Sequence, residues 1–226
     1  MNKIVLSAIV IAALLSFSGC NRDKIEEVEK DTGFENGFQY VDLGLSVKWA
    51  TVNVGASKPE EYGDYYAWGE IESKTEYNWS TYKWCDAHPN LLTKYNDTDW
   101  YGTVDKKTLL DAEDDVAHIK WGGKWRIPTT TEQEELYSHC TWTWTVLNGV
   151  NGYLVTSNKK GYTDRSIFLP ANECRDGSGI EGNVGIYSSR SLETTSYMRY
   201  LGFDSVNVYT GFRARYYGMG VRPVCP

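Results

Sequence analysis

The chain has 226 residues and carries 23 Lys and Arg against 30 Asp and Glu, a formal net charge of −7. A chain this acidic has no sequence-wide basic field for gripping phosphates, which argues against nucleic-acid binding. Its 41% hydrophobic and 23% charged residues are those of a globular protein, and 9 Trp, 17 Tyr, 6 Phe and 21 Gly favour sheets and tight turns over a helical bundle. With 3 His and 3 Met a large transition-metal site is not expected, and neither metal nor cofactor is assigned.

Met1-Asn2-Lys3 is a short positive start, and Ile4 to Leu15 is almost unbroken Ile, Val, Ala and Leu. A bilayer-spanning helix needs about twenty apolar residues, so this shorter run reads as the core of a secretory signal peptide over residues 1–20. Ser18-Gly19-Cys20 at its end resembles the bacterial lipobox, with Phe17 departing from the usual aliphatic residue. The resemblance implies that Cys20 becomes the first mature residue and carries lipid. Removing residues 1–20 takes only Lys3 from the charge count, leaving 22 basic residues against 30 acidic ones. Such a protein is held to a membrane by its acyl chains and not by attraction to anionic headgroups. Residues 21–37 are polar, with Glu26, Glu27, Glu29, Lys30 and Asp31, and read as a flexible tether.

The ordered domain is expected over residues 38–226. Phe38 to Leu43, Val47 to Val52 and Asp64 to Gly69 alternate as strands do. Tyr77 to Thr103 is polar, aromatic and irregular, a long excursion of the kind that often carries function. A first helix is expected behind Asp111 as its cap, running through Val116 and Ile119 to Lys120 and stopped by Gly122-Gly123. The second starts at Thr129, where Thr129-x-x-Glu132 is a capping box, with Leu136 and Tyr137 on its buried face. From Thr141 onward the pattern is strands, at Thr141 to Thr145, Tyr153 to Thr156, Ser166 to Leu169, Val184 to Ser188, Tyr197 to Phe203, Val206 to Tyr209 and Met219 to Val224. Asn148-Gly149 and Asn151-Gly152 are hairpin signals. Strand runs around two short helices make an α+β fold of mostly antiparallel sheet with long loops.

Export puts Cys85, Cys140, Cys174 and Cys225 in a disulfide-permissive compartment. Four cysteines allow three pairings. Two structural bridges, Cys85 with Cys140 and Cys174 with Cys225, are the expected arrangement, and a catalytic thiol stays open.

Five segments together carry a resemblance. They are Val41 to Ala50 (VDLGLSVKWA), Gly63 to Glu70 (GDYYAWGE), Trp121 to Thr129 (WGGKWRIPT), Cys140 to Thr145 (CTWTWT) and Gly220 to Val224 (GVRPV). In this order they resemble the Fibrobacter succinogenes major paralogous domain, common in lipoproteins of gut Bacteroidota. That family is similar in turn to the C-type-lectin-like fold, including its formylglycine-generating (sulfatase-modifying factor) enzyme branch. There an Arg-Leu-Pro-Thr-Glu-Ala-Glu-Trp-Glu segment corresponds to Arg126 to Glu134, with Gln133 in place of the Trp. The resemblance implies structural roles for Arg126, Thr129, Glu132 and Arg222, with Arg222 on the terminal strand bridged to Glu132 or Glu134. The enzyme branch needs two reactive cysteines near its C-terminal end, and Cys225 has no neighbouring Cys to share a metal.

No nucleophile elbow, zincin motif or P-loop occurs, and the calcium-and-sugar tripeptides of lectins of this fold are missing. Asn96 to Asp99 and Asp111 to Asp115 offer oxygen ligands but read as a solvated loop and a helix cap. What remains is the aromatic cluster Trp79, Tyr82, Trp84, Trp100 and Tyr101. Of these, Trp79, Trp84, Trp100 and Tyr101 are the candidate ligand-binding residues, aided by the loop from Asp176 to Gly182. The expectation is a lipid-anchored protein of the outer membrane or cell surface that binds a glycan or another surface protein and does no chemistry. A tip or structural subunit of a surface fibre is the first alternative, and an enzyme related to the formylglycine-generating branch the second.

Overall fold

The computed structural model describes residues 32–86, 91–181 and 184–226. Cys20, the signal segment, the first part of the tether, His88 and Gly182 lie outside the described residues. No helix among the described residues is long and apolar enough to cross a membrane.

The domain starts earlier than the sequence pattern suggests. Strand β1 (Thr32–Glu35) pairs antiparallel with β2 (Phe38–Val41), so the last part of the expected tether is sheet. Asn36 and Gly37 turn the chain with φ of +45° and +85°, the geometry of a two-residue hairpin. The hairpin is anchored by packing: Phe38 stacks on Trp121 at 3.9 Å and 4°, and the Trp125 indole N–H donates to the Glu35 carbonyl at 2.7 Å. Next to β2 lies β3 (Lys48–Ala50), and next to β3 the final strand β13 (Val224–Cys225), giving the sheet order β1-β2-β3-β13.

Two helices follow the long excursion. Asp111 heads only a 3₁₀ turn over Ala112–Asp114 and makes no side-chain cap bond. The helix α1 (Val116–Trp121) is capped instead by Asp115, whose Oδ1 accepts from Ala117 N–H at 3.1 Å and His118 N–H at 3.2 Å. Asp115 also takes the Ile127 N–H, so one buried carboxylate starts the helix and holds the strand-like segment beyond it. Helix α2 (Thr130–His139) begins at the capping box expected at Thr129.

Three further sheets complete the α+β fold. β4 (Cys140–Leu147), β5 (Val150–Ser157) and β6 (Ser166–Pro170) form one meander. β9 (Gly185–Thr194), β10 (Tyr197–Phe203) and β11 (Val208–Ala214) form a second, with β10 central. β7 (Cys174–Asp176), β8 (Gly179–Glu181) and β12 (Gly218–Met219) form the smallest, with β7 central. Every strand pair in these sheets is antiparallel.

Three details depart from the sequence pattern. Asn148-Gly149 makes the β4–β5 turn, but Asn151-Gly152 lies inside β5. A Cβ on Gly152 would sit 2.3 Å from the Leu169 carbonyl and 2.6 Å from the Phe168 ring, so glycine is there for close packing, not for a bend. Asp64 to Gly69 is not a strand: it is held through the Tyr66–Met219 bridge and the Trp68 N–H to Arg215 carbonyl bond at 2.9 Å. Residues 65–70 are all buried, so this segment threads the core and shows no solvent face. The expected Met219 to Val224 strand is split into β12 and β13, with Arg222 in the gap between them.

The core has three clusters. Trp68, Trp121, Trp125, Met198 and Met219 centre the first. The second gathers Trp49, Leu136, Tyr153, Leu169 and Phe203, packing α2 and the β4–β5–β6 sheet against β10. Tyr65, Tyr77, Tyr82 and Leu92 form the third, beneath the long excursion.

Candidate functional site

The excursion is irregular but well tied. Asn78 caps a 3₁₀ turn at Trp79–Thr81 reciprocally: its side chain accepts from Thr81 N–H at 3.1 Å while its own N–H donates to Thr81 Oγ1 at 3.2 Å. That turn presents Trp79, which packs edge-on against Tyr82 and Tyr216 at 5.7 and 5.2 Å. A second 3₁₀ turn, Asp99–Tyr101, ends at Gly102 with φ +106°, where a Cβ would lie 2.6 Å from the Leu92 carbonyl. It presents Trp100 and Tyr101.

The buried Arg215 is the tie that matters most. Its Nε donates to the Tyr82 hydroxyl at 2.9 Å, one Nη to the Tyr95 and Thr195 carbonyls at 3.0 and 2.9 Å, and the other to the Lys94 carbonyl at 3.0 Å. The guanidinium also lies 5.0 Å from the Trp68 ring centre and 5.3 Å from that of Tyr82. One side chain thereby joins the excursion to the β9–β10 turn and to the end of β11.

Around this tie the chain forms a groove of about 490 Å³. Trp79 and Tyr101 enter from the excursion, Ser196 and Tyr197 from the start of β10, and Phe212, Arg213 and Ala214 from β11, with Tyr216 and Tyr217 closing it. Tyr216 and Tyr217 stack at 4.8 Å and 24°, and Tyr197 meets Phe212 edge-on at 5.6 Å. The Tyr217 hydroxyl donates to Asp176 Oδ2 at 3.1 Å. Burial, helped by Tyr216 and Asp176, raises the Tyr217 phenol above its ordinary value, so it stays a donor at neutral pH. Phe212 is 54% exposed and Tyr197 43%, large rings facing solvent in one patch.

Of the four aromatics singled out in sequence, the groove collects two, Trp79 and Tyr101. Trp100 is 85% exposed but is not part of the groove lining. Trp84 is a packing residue: its indole N–H donates to the Gly69 carbonyl at 2.9 Å, and Lys83 Nζ and Lys94 Nζ lie 4.1 and 5.1 Å from its ring centre. Tyr197, Phe212, Tyr216 and Tyr217 were not singled out. Tyr197 opens β10, Phe212 lies in β11 and the Tyr216-Tyr217 pair follows it, and all of these read as ordinary strand in isolation.

The residues assigned structural roles behave unevenly. Thr129 and Glu132 form the reciprocal box, with Glu132 Oε2 accepting from Thr129 N–H at 2.8 Å. Arg126 grips the same carboxylate with two bonds of 2.7 and 2.5 Å. Arg222 meets neither Glu132 nor Glu134. Its Nε donates to Asn53 Oδ1 at 2.8 Å and one Nη to the Ala50 and Thr51 carbonyls at 3.1 and 3.2 Å. The reason is topological: β13 pairs with β3, so the adjacent Arg222 is delivered to the backbone just after β3 while Arg126 takes the helix. Gln133, at the position of the family's Trp, is buried and donates to the Tyr187 and Ser188 carbonyls at 3.1 Å each. It fastens α2 to β9.

Neither Cys140 nor Cys225, one member of each expected pair, is in a disulfide among the described residues. Cys174 and Cys225 belong to the first core cluster, Cys140 to the second, and Cys85 lies against the third. The expected Cys85–Cys140 pair is thus divided between two clusters. Burial pushes the Cys140 and Cys225 thiols up to about 11, which keeps both protonated at neutral pH.

Asp111, Glu113 and Asp114 bring carboxylate oxygens within 4.8 Å of one another. Lys94 Nζ reaches all three, at 2.7, 3.4 and 2.6 Å, so an ammonium already spans the cluster. It is a structural charge network under the excursion. A smaller groove of about 350 Å³ lies between Asp64, Tyr65, Lys74, Tyr77 and Arg175.

Neither a protein-family model, nor a curated protein, nor a solved structure matches the chain.

Proposed function

We propose that this chain is a lipid-anchored, cell-envelope protein that binds carbohydrate, without catalysis, in the groove between the long excursion and β11. The observation that carries the reading is the ring set itself: Trp79, Tyr101, Tyr197, Phe212, Tyr216 and Tyr217 line one groove. Aromatic rings offer flat apolar faces for the C–H faces of sugar rings, and Tyr and Trp add donors at their edges for hydroxyls. The resemblance to the major paralogous domain and its C-type-lectin-like relatives supports the same reading, because in that fold a long loop excursion carries recognition. The apolar run ending in Ser18-Gly19-Cys20 supports an anchor at Cys20 and placement at the outer membrane or cell surface.

A glycan array probed with the full chain tests the reading. Binding should be detected for a defined set of glycans, and Trp79→Ala should abolish it without a comparable fall in melting temperature. Loss of fold in step with loss of binding would make Trp79 a core residue and remove the argument. For the anchor, mass spectrometry of the mature protein should show a diacylated or triacylated Cys20, and an unmodified N-terminus elsewhere would refute it.

A second reading, a subunit of a surface fibre, has its own observation. β4 is eight residues long, carries no charged side chain, and among the described residues no strand pairs with its outer edge. Such an edge is a template for a further strand. Concentration-dependent chain-like assembly that is blocked by Thr143→Lys would favour it.

A further inference from the structure

The smaller groove, of about 350 Å³, has no part in the saccharide reading. Asp64 and Tyr65 line it from one segment, Lys74 and Tyr77 from a second and Arg175 from β7. Tyr77 ties the three together. Its amide N–H and its carbonyl both bond Gly177, at 2.8 Å each, which fastens it to the turn after β7. Its hydroxyl donates to the Tyr65 carbonyl at 2.7 Å and accepts the Lys74 N–H at 3.2 Å. A groove held in this way is formed before a ligand arrives, which lowers the ordering cost of binding.

The three charged side chains in its lining differ in what they meet. Lys74 Nζ is taken by Glu70 Oε1 and by the Thr81 carbonyl, at 2.8 Å each. Arg175 lies with its guanidinium carbon 4.8 Å from the Tyr65 ring centre, and among the described residues it makes no hydrogen bond and no ion pair. Tyr65 is buried and its hydroxyl donates to the Asn172 carbonyl, so the ring that carries the guanidinium is fixed. Asp64 is the counterpart. Its Oδ2 accepts from the Tyr66 hydroxyl at 3.1 Å, its side chain is exposed, and among the described residues no cation pairs with it. One anion and one cation thus line the same groove without meeting, each steadied by a different tyrosine.

With Lys74 neutralised by Glu70, the lining carries no net charge. A bare anion would gain from Arg175 and lose to Asp64, and a bare cation the reverse, whereas a ligand with both charges is favoured by both. We propose that this groove binds a small zwitterion, a free α-amino acid or a dipeptide. Its carboxylate lies on Arg175, whose planar fork matches two carboxylate oxygens, and its ammonium on Asp64. The volume is near the low end of the range for ligand pockets, about 300–1,000 Å³, as a ligand of that size requires.

The test is calorimetric titration of the full chain with alanine, phenylalanine, alanyl-alanine and phenylalanyl-alanine. Each is compared with its N-acetyl form, which lacks the ammonium, and its C-terminal amide, which lacks the carboxylate. At least one zwitterion should bind about tenfold or more tightly than both of its derivatives, and whether an amino acid or a dipeptide responds separates the two sources. Arg175→Gln should erase the preference over the amide and spare that over the N-acetyl form, and Asp64→Asn should do the opposite, both at unchanged melting temperature. If Arg175→Gln does not fold, Arg175→Lys, which keeps the charge and loses the fork, should retain only part of the preference over the amide. Sugar binding in the aromatic groove stands or falls separately, on the glycan array. No binding by any member of the panel, derivatives that bind as tightly as their parents, or preferences that survive these substitutions would overturn the proposal.

Discussion

Arg222 holds a buried charge that has no carboxylate partner among the described residues. Its donors go to the Asn53 side-chain oxygen and to two backbone carbonyls at the end of β3, and among the described residues its second Nη makes no hydrogen bond. Burial pushes its pKa down to about 10, so it remains a cation at neutral pH. Arg222→Ala removes three hydrogen bonds from a charged donor and leaves the Asn53 oxygen and the carbonyls of 50 and 51 without them. The expected cost is about 3 kcal/mol in denaturant unfolding. A loss below about 0.5 kcal/mol, the range of an ordinary surface substitution, would show that the contacts do not stabilise the fold. The sequence marks Arg222 as structural but cannot name its partners, since backbone carbonyls leave no signature in residue type. The same holds for Arg215, which takes three carbonyls and a tyrosine hydroxyl and stands out in the sequence by nothing at all.

At the scale of elements, α2 was the most legible. Thr129-x-x-Glu132 is a local pattern with a local consequence, and both bonds of the box form. The structure adds Arg126, whose grip on Glu132 couples the cap to the segment before the helix. Burial alone would raise the Glu132 carboxyl, but the Arg126 guanidinium and the Thr129 amide outweigh it and hold the group below its ordinary value of 4.5. A carboxyl whose folded pKa is depressed contributes stability that is fully present above the unfolded value and is lost as pH falls through the folded one. Unfolding free energy of the wild-type chain should therefore decline below about pH 4.5, and Glu132→Gln should remove part of that slope while costing about 1–3 kcal/mol at pH 7. Parallel pH curves for the two proteins would contradict the assignment. Other elements show why local signals mislead. Asn36-Gly37 and Asn148-Gly149 make two-residue hairpins, while Asn151-Gly152 does not, because β5 has already begun and its Gly is needed where β6 passes closely. Asp64 to Gly69 has the residues of a strand, yet from Tyr65 onward it runs buried through the core with a single bridge to Met219.

Across the whole molecule, four small antiparallel sheets and two short helices leave a long stretch of chain to be held by side chains. The excursion is held by Arg215 on one side and by the Lys94–Asp111–Asp114 network on the other. The groove brings Trp79 and Tyr101 to face Tyr197, Phe212, Tyr216 and Tyr217 from more than ninety positions away in the chain. Two of its six rings, Trp79 and Tyr101, are visible as part of an aromatic-rich excursion. The other four are hidden at the start of β10, in β11 and just after it, where aromatic residues are what any half-buried strand contains. Trp84 lies outside the groove lining, and its ring packs among Lys83, Lys94 and Tyr95, an environment that residue type alone does not reveal.

The central claim is that these rings form a binding site for sugar. A glycan identified on the array, titrated into the full chain while tyrosine and tryptophan resonances are followed by NMR, tests it most directly. Shifts confined to Trp79, Tyr101, Tyr197, Tyr216 and Tyr217, together with a loss of affinity of about tenfold or more in Phe212→Ala at unchanged melting temperature, are the predicted result. Shifts elsewhere on the domain, or undiminished affinity in Phe212→Ala and Trp79→Ala, would contradict it.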